Sequence, residues 1–162
     1  MSNLTTAIKI LRDAGIVTIE FWERGPNPGP NDIEAIDEFV GIELGINSGL
    51  PFHALGDSWQ KIEAPTAVRI ATCVLHRNLA YNLEHMDESL ARTLAELFVK
   101  KHFSEDTRFF TNKHPENEKF AEKDFDDISL VSWMPVTNST FDAGIIGINS
   151  KQIGMLWVQD ED

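Results

Sequence analysis

The chain has 162 residues, with 26 Asp and Glu against 14 Lys and Arg, a formal net charge of −12 and a sequence pI of about 4.7. A chain this acidic repels phosphate backbones and anionic membrane surfaces unless basic residues are concentrated somewhere, and no such patch occurs; nucleic acid and membrane are excluded as expected partners. Apolar residues at 42% and charged residues at 25% are globular proportions, and at this length one domain buries about two-thirds of the surface its unfolded chain exposes.

Leu4, Ala7, Ile8, Leu11 and Ala14 recur at three- and four-residue steps and Gly15 follows, which predicts a first helix over 4–14. The β-branched and aromatic run from Ile16 to Trp22 predicts a strand, and Gly25-Pro26-Asn27-Pro28-Gly29-Pro30 a rigid surface loop. Asn31 with Glu34 three residues on resembles a capping box, and Ile33, Ile36, Phe39 and Val40 form one apolar stripe, so a second helix starts there. Residues 41–64 read as irregular with at most short elements, because Gly41, Gly45, Gly49 and Pro51 interrupt any period.

Pro65 in a first turn introduces a largely buried helix over 66–81, with a polar stripe through Arg69, Thr72 and His76. A further helix over 87–103 places Asp87 and Glu88 at its start and Lys100, Lys101 and His102 at its end, as the macrodipole favours. The two are expected to form a helical hairpin. After a short helix from Pro115 to Lys123, three strands follow: Ile128 to Met134, Phe141 to Ile148, and Gln152 to Val158. Gly144, Gly147 and Gly154 in the last two predict bulges or a close packing neighbour. The expected fold is a single α+β domain over 1–162, its mainly helical first two-thirds packed on a C-terminal antiparallel β meander.

The N-terminus has no basic start leading into an apolar core, and no uninterrupted apolar run approaches membrane-spanning length, so a cytoplasmic location is expected. The single Cys73 sits in an apolar run as a small buried side chain, and cannot build an intramolecular disulfide or a multi-Cys zinc site.

Gly56-Asp57-Ser58 matches the short nucleophile signature of the GDS-type hydrolases, so a small hydrolase is one reading. Those enzymes activate the serine with a downstream Asp-x-x-His, and none occurs in this sequence, which favours a turn held by local backbone capping. His76-Arg77-Asn78-Leu79 resembles the protein-kinase catalytic loop but carries Asn where a carboxylate is needed. The five histidines, His53, His76, His85, His102 and His114, show no metal-ligand spacing, and Asp124-Phe125-Asp126-Asp127 lacks the Gly and Glu of a calcium loop. No cofactor is expected. Trp22, Trp59, Trp133 and Trp157 are read as core, with Phe52, His53, Asp57 and Trp59 marking the place to look for a pocket.

Charge is the remaining signal. Asn31 to Leu44 holds five acids and no base, and Glu116 to Asp127 holds six acids and two lysines. Such surfaces ordinarily serve solubility; the functional alternative is an electrostatic interface for a basic partner.

Phe141-Asp142-Ala143-Gly144-Ile145-Ile146-Gly147, followed by Ile153 through Asp162, resembles hairpin endings of bacterial immunity proteins that neutralise polymorphic toxins of contact-dependent inhibition or type VI secretion. That resemblance implies a non-enzymatic inhibitor that binds a cognate toxin domain, often a basic nuclease. The candidate toxin-binding residues are the acidic face of the second helix, Glu34, Asp37 and Glu38, and a second patch of Asp124, Asp126 and Asp127. An intracellular adaptor of other purpose would share the same acidity.

Overall fold

The computed structural model describes residues 17–46, 52–79, 81–113 and 133–160, together with Lys9. The expected helix at 4–14, apart from Lys9, which is helical, the expected helix at 115–123, the acidic patch at 124–127 and most of the expected strand at 128–134 lie outside the described residues. In chain order the elements are β1 (Val17–Glu23), α1 (Asp32–Val40, running on as a π-helical turn to Ile46), a 3-10 turn (Gly56–Ser58) and β2 (Gln60–Ile62). Then come α2 (Ala64–His76), α3 (Glu88–Glu96, running on as a π-helical turn to Lys101), β3 (Arg108–Thr111), β4 (Phe141–Ile148) and β5 (Gln152–Asp160).

The five strands form one antiparallel sheet in the order β1-β5-β4-β3-β2. Side chains alternate across it. Val17, Phe109, Ala143, Ile145, Leu156 and Val158 face a core shared with α2 and α3, where Ile70, Ala71, Val74, Ala91 and Ala95 pack. Phe110, Ile146, Ile148, Ile153, Met155 and Trp157 face the opposite core under Ile36, Phe39 and Val40 of α1. The sheet is thus buried on both faces, which explains why β4 and β5 read as continuous apolar runs rather than alternating ones.

The expected α+β architecture is present, with two differences in the sheet. The strand beside β4 is β3, whose partners run from Arg108↔Ile148 to Thr111↔Ile145. Of the expected strand 128–134, the described end contributes an isolated bridge between Trp133 and Lys113. The second difference is β2, three residues inside the stretch read as irregular, paired with β3 as a short edge.

Helix starts follow their caps. Asn31 Oδ1 accepts from Glu34 N at 3.1 Å at the head of α1, and Asp87 accepts from Ser89 N and Leu90 N at the head of α3. Helix α2 stops at His76, five residues short of the expected end, because Arg77 turns extended and bridges to Glu84. The segment after it is folded on itself: Asn78 N donates to Leu83 O at 2.7 Å, and His76 Nδ1 lies 2.7 Å from Met86 O.

The β4–β5 hairpin turns over residues 149–151. Asn149 Oδ1 accepts from both Lys151 N and Gln152 N at 2.9 Å, while its Nδ2 donates to Thr107 Oγ1. The hairpin glycines serve close packing: the β4–β5 register runs unbroken, with Gly147 opposite Gly154. A Cβ on Gly147 would lie 2.7 Å from Phe103 Cζ, and one on Gly154 would lie 2.5 Å from Phe21 Cδ1 and 2.9 Å from Phe103 Cζ. The paired glycines hollow a seat for the Phe103 ring, around which Phe21, Phe98 and Phe109 gather at centroid distances of 5.3 to 5.8 Å. Cys73 is half-buried rather than enclosed, packed against the same core.

Candidate binding site

Helix α1 lays its apolar stripe on the sheet and turns its acids outward or sideways according to position. Asp32, in the first turn, pairs with Arg108 of β3 through two parallel contacts, Nη2 to Oδ1 at 2.9 Å and Nε to Oδ2. The fork geometry fixes the start of α1 against the sheet, and Asp32 raises the Arg108 pKa above its ordinary value chiefly by hydrogen bonding.

Asp37 faces inward along the molecule. Its Oδ1 accepts from Leu55 N at 3.2 Å and from the Trp59 indole Nε1 at 2.8 Å, and its Oδ2 accepts from Gly56 N at 3.0 Å. Gly56 has φ of +52°, a left-handed conformation suited to glycine, which helps aim successive N–H groups at one carboxylate. Asp37 therefore holds the Gly56–Ser58 turn and seats Trp59, which is buried and meets Trp157 edge-on at 5.9 Å.

Glu34 and Glu38, one turn apart, are exposed. Beyond them the π-helical continuation of α1 and the Phe52 ring enclose an open groove of about 620 Å³, lined by Asp37, Glu38, Gly41, Ile42, Gly45, Ile46 and Phe52. A Cβ on Gly41 would lie 3.0 Å from Phe52 Cε1, so the bare glycine is what lets the ring close on the helix. Ile46 is 76% exposed, the most exposed of the large apolar side chains in the described residues.

Phe52 is held from behind. It bridges Thr137, and His53 N donates to Val136 O at 2.9 Å while His53 Nε2 lies 3.1 Å from Asn138 Oδ1. Segment 136–137 is in turn fixed by the buried Asp142 of β4, which accepts from Val136 N at 3.1 Å, Thr137 N at 3.0 Å and Thr137 Oγ1 at 2.8 Å. Asn112 Nδ2 reaches Met134 O and Asp142 O as well, so the polar cluster ties three chain segments together. Burial pushes the Asp142 carboxyl above its ordinary value, and the hydrogen bonds from Thr137 and Val136 oppose that shift only in part.

Of the expected site residues, the structure brings Glu34, Asp37 and Glu38 together on α1, but only Glu34 and Glu38 present their carboxylates outward; Asp124, Asp126 and Asp127 lie outside the described residues. Ser58 sits inside the 3-10 turn, its N–H bonded to Leu55 O, and among the described residues no histidine bonds to it. The paired N–H groups of Leu55 and Gly56, which in a hydrolase could receive an oxyanion, are filled by Asp37. Among the described residues no three His, Cys, Asp or Glu side chains gather to hold a metal, and no helix is long and apolar enough to cross a membrane.

Ile42, Ile46 and Phe52 were not singled out by charge. Phe52 stands in the stretch marked as the place to look for a pocket, and the sequence signal for the other two is Ile42 and Ile46 at a four-residue step. No protein-family model, curated protein or solved structure matches this chain.

Proposed function

We propose that this chain is a non-enzymatic immunity-type protein that binds and neutralises a basic bacterial toxin domain in the cytoplasm of the cell that makes it, through the outer face of α1. The observation that carries the reading is the pairing of exposed Glu34 and Glu38 with an adjoining apolar groove ending at exposed Ile46. A binding protein requires a rigid scaffold, a charged rim that speeds encounter, and desolvated apolar anchors near the centre of contact. Here the scaffold is the sheet covered on both faces, the rim is Glu34 and Glu38, and the anchors are Ile42, Ile46 and Phe52. Asp37 serves by position: it fixes the turn beside the groove instead of offering its charge to a partner.

The test is co-expression with the basic C-terminal domain of a secreted toxin encoded beside this chain. Survival of the host and a complex that co-purifies through size exclusion are the expected results. A toxin that stays lethal, with no complex recovered, overturns the proposal.

A further inference from the structure

The geometry points to a basic amphipathic helix of the partner as the occupant of the groove beside Gly41–Ile46; the inference rests on α1 being the binding surface. Among the described residues the lining of the groove is apolar apart from the two acids at one end, Asp37 and Glu38, and its volume of about 620 Å³ exceeds what one side chain fills. From Glu38 to Ile46 the helix and its continuation span roughly 12 Å at helical rise, about two turns, which matches an apolar stripe of spacing i, i+3 or i+4, and i+7.

Charge selects the sign of the flanks. The stretch from Asn31 to Leu44 carries acids and no base. With Asp32 committed to Arg108, Asp37 to the turn at 55–59 and Glu43 to the Trp22 indole at 2.6 Å, the outward charge is that of Glu34 and Glu38. Lys or Arg beside the apolar stripe of the occupant would meet these two. Among the described residues the wall is made of helix side chains and an aromatic ring rather than an open strand edge, so a helix packing ridge into groove fits there better than an added strand.

The probe is a fluorescein-labelled Leu/Lys peptide of about four helical turns with Leu at helical spacing, titrated against the full chain by anisotropy. Two further peptides accompany it: one of identical composition with the stripe scrambled, and a Leu/Glu analogue. The striped Leu/Lys peptide is expected to bind best. Ile46→Asp, at a position exposed enough to leave folding intact by circular dichroism, is expected to weaken it about tenfold or more, and Glu34→Lys with Glu38→Lys to weaken it most at low salt. Equal binding of the scrambled peptide, or an unchanged affinity in Ile46→Asp, overturns the inference. A toxin complex undiminished by Ile46→Asp also overturns the groove and the anchors assigned to it, while leaving toxin neutralisation itself standing. Striped-peptide binding through Ile46 with no toxin complex supports the groove and removes that function.

Discussion

Replacing Gly147 or Gly154 by alanine drives a methyl group into the Phe103 seat, and the distances set the cost. The new Cβ at 147 would lie 2.7 Å from Phe103 Cζ and 3.0 Å from Phe109 Cε1; at 154 it would lie 2.5 Å from Phe21 Cδ1 and 2.9 Å from Phe103 Cζ. Over-packing of this kind costs about 1–3 kcal/mol, and alanine recovers about 0.5–1 kcal/mol over glycine within a strand, so each single variant is expected to lose up to about 2.5 kcal/mol net. Because both methyls press on the same Phe103 ring, the double variant is expected to lose less than the sum of the singles. Phe103→Leu on the Gly147→Ala background should restore part of the loss. At Gly144 the obstacle is backbone, Leu156 O at 2.1 Å, which yields only if β4 and β5 separate; Gly144→Ala is expected to be the most damaging of the three. The assay is urea unfolding followed by tryptophan fluorescence, comparing midpoints at constant m. A strictly additive double variant, or a Gly147→Ala protein more stable than its parent, would refute the role assigned to the paired glycines.

Asp37→Ala strands the buried Trp59 indole N–H and two backbone N–H groups, and is expected to cost about 1–3 kcal/mol, whereas Glu34→Ala or Glu38→Ala stays within about 0.5 kcal/mol; equal unfolding midpoints for the three would contradict the inward role of Asp37. Asp142 has a folded-state pKa raised from 3.8, so the native state holds that proton more tightly than the unfolded chain. Its contribution to stability is fully present below the unfolded value and is lost as pH rises through the raised one. The deficit of Asp142→Asn relative to the parent is therefore expected to be largest in acid and to shrink toward neutrality, and urea midpoints that diverge as pH rises would show the opposite linkage. For the toxin complex, added salt is expected to slow association in stopped-flow far more than it alters dissociation; an association rate indifferent to ionic strength argues against steering by Glu34 and Glu38.

What was legible in the sequence was local. Asn31 and Asp87 marked two helix starts because a capping side chain acts within three residues, and the β4–β5 hairpin showed itself through two apolar runs around a three-residue turn. Strands β2 and β3 are three and four residues long and owe their existence to each other and to β4, a pairing that no local period announces. The end of α2 was overrun because Leu79 keeps the apolar spacing and is buried, although the chain beyond His76 is no longer helical. The acidic face of α1 could be read from a helical wheel. The inward turn of Asp37 could not, since its three donors come 18 to 22 residues later, and the groove needs Phe52, held by a segment more than eighty residues away.

The place of β5 in the sheet bears on how the protein is made. Both β1 and β4 hydrogen-bond to β5, which a ribosome produces after the other four described strands. Until residues 152–160 emerge, β1 lacks its partner among the described strands and the Phe103 seat has only one of its two glycines. Closure of the sheet must therefore await synthesis of residues 152–160, and a nascent chain interrupted before Gln152 leaves the edges of β1 and β4 open to pairing with other chains and to capture by chaperones.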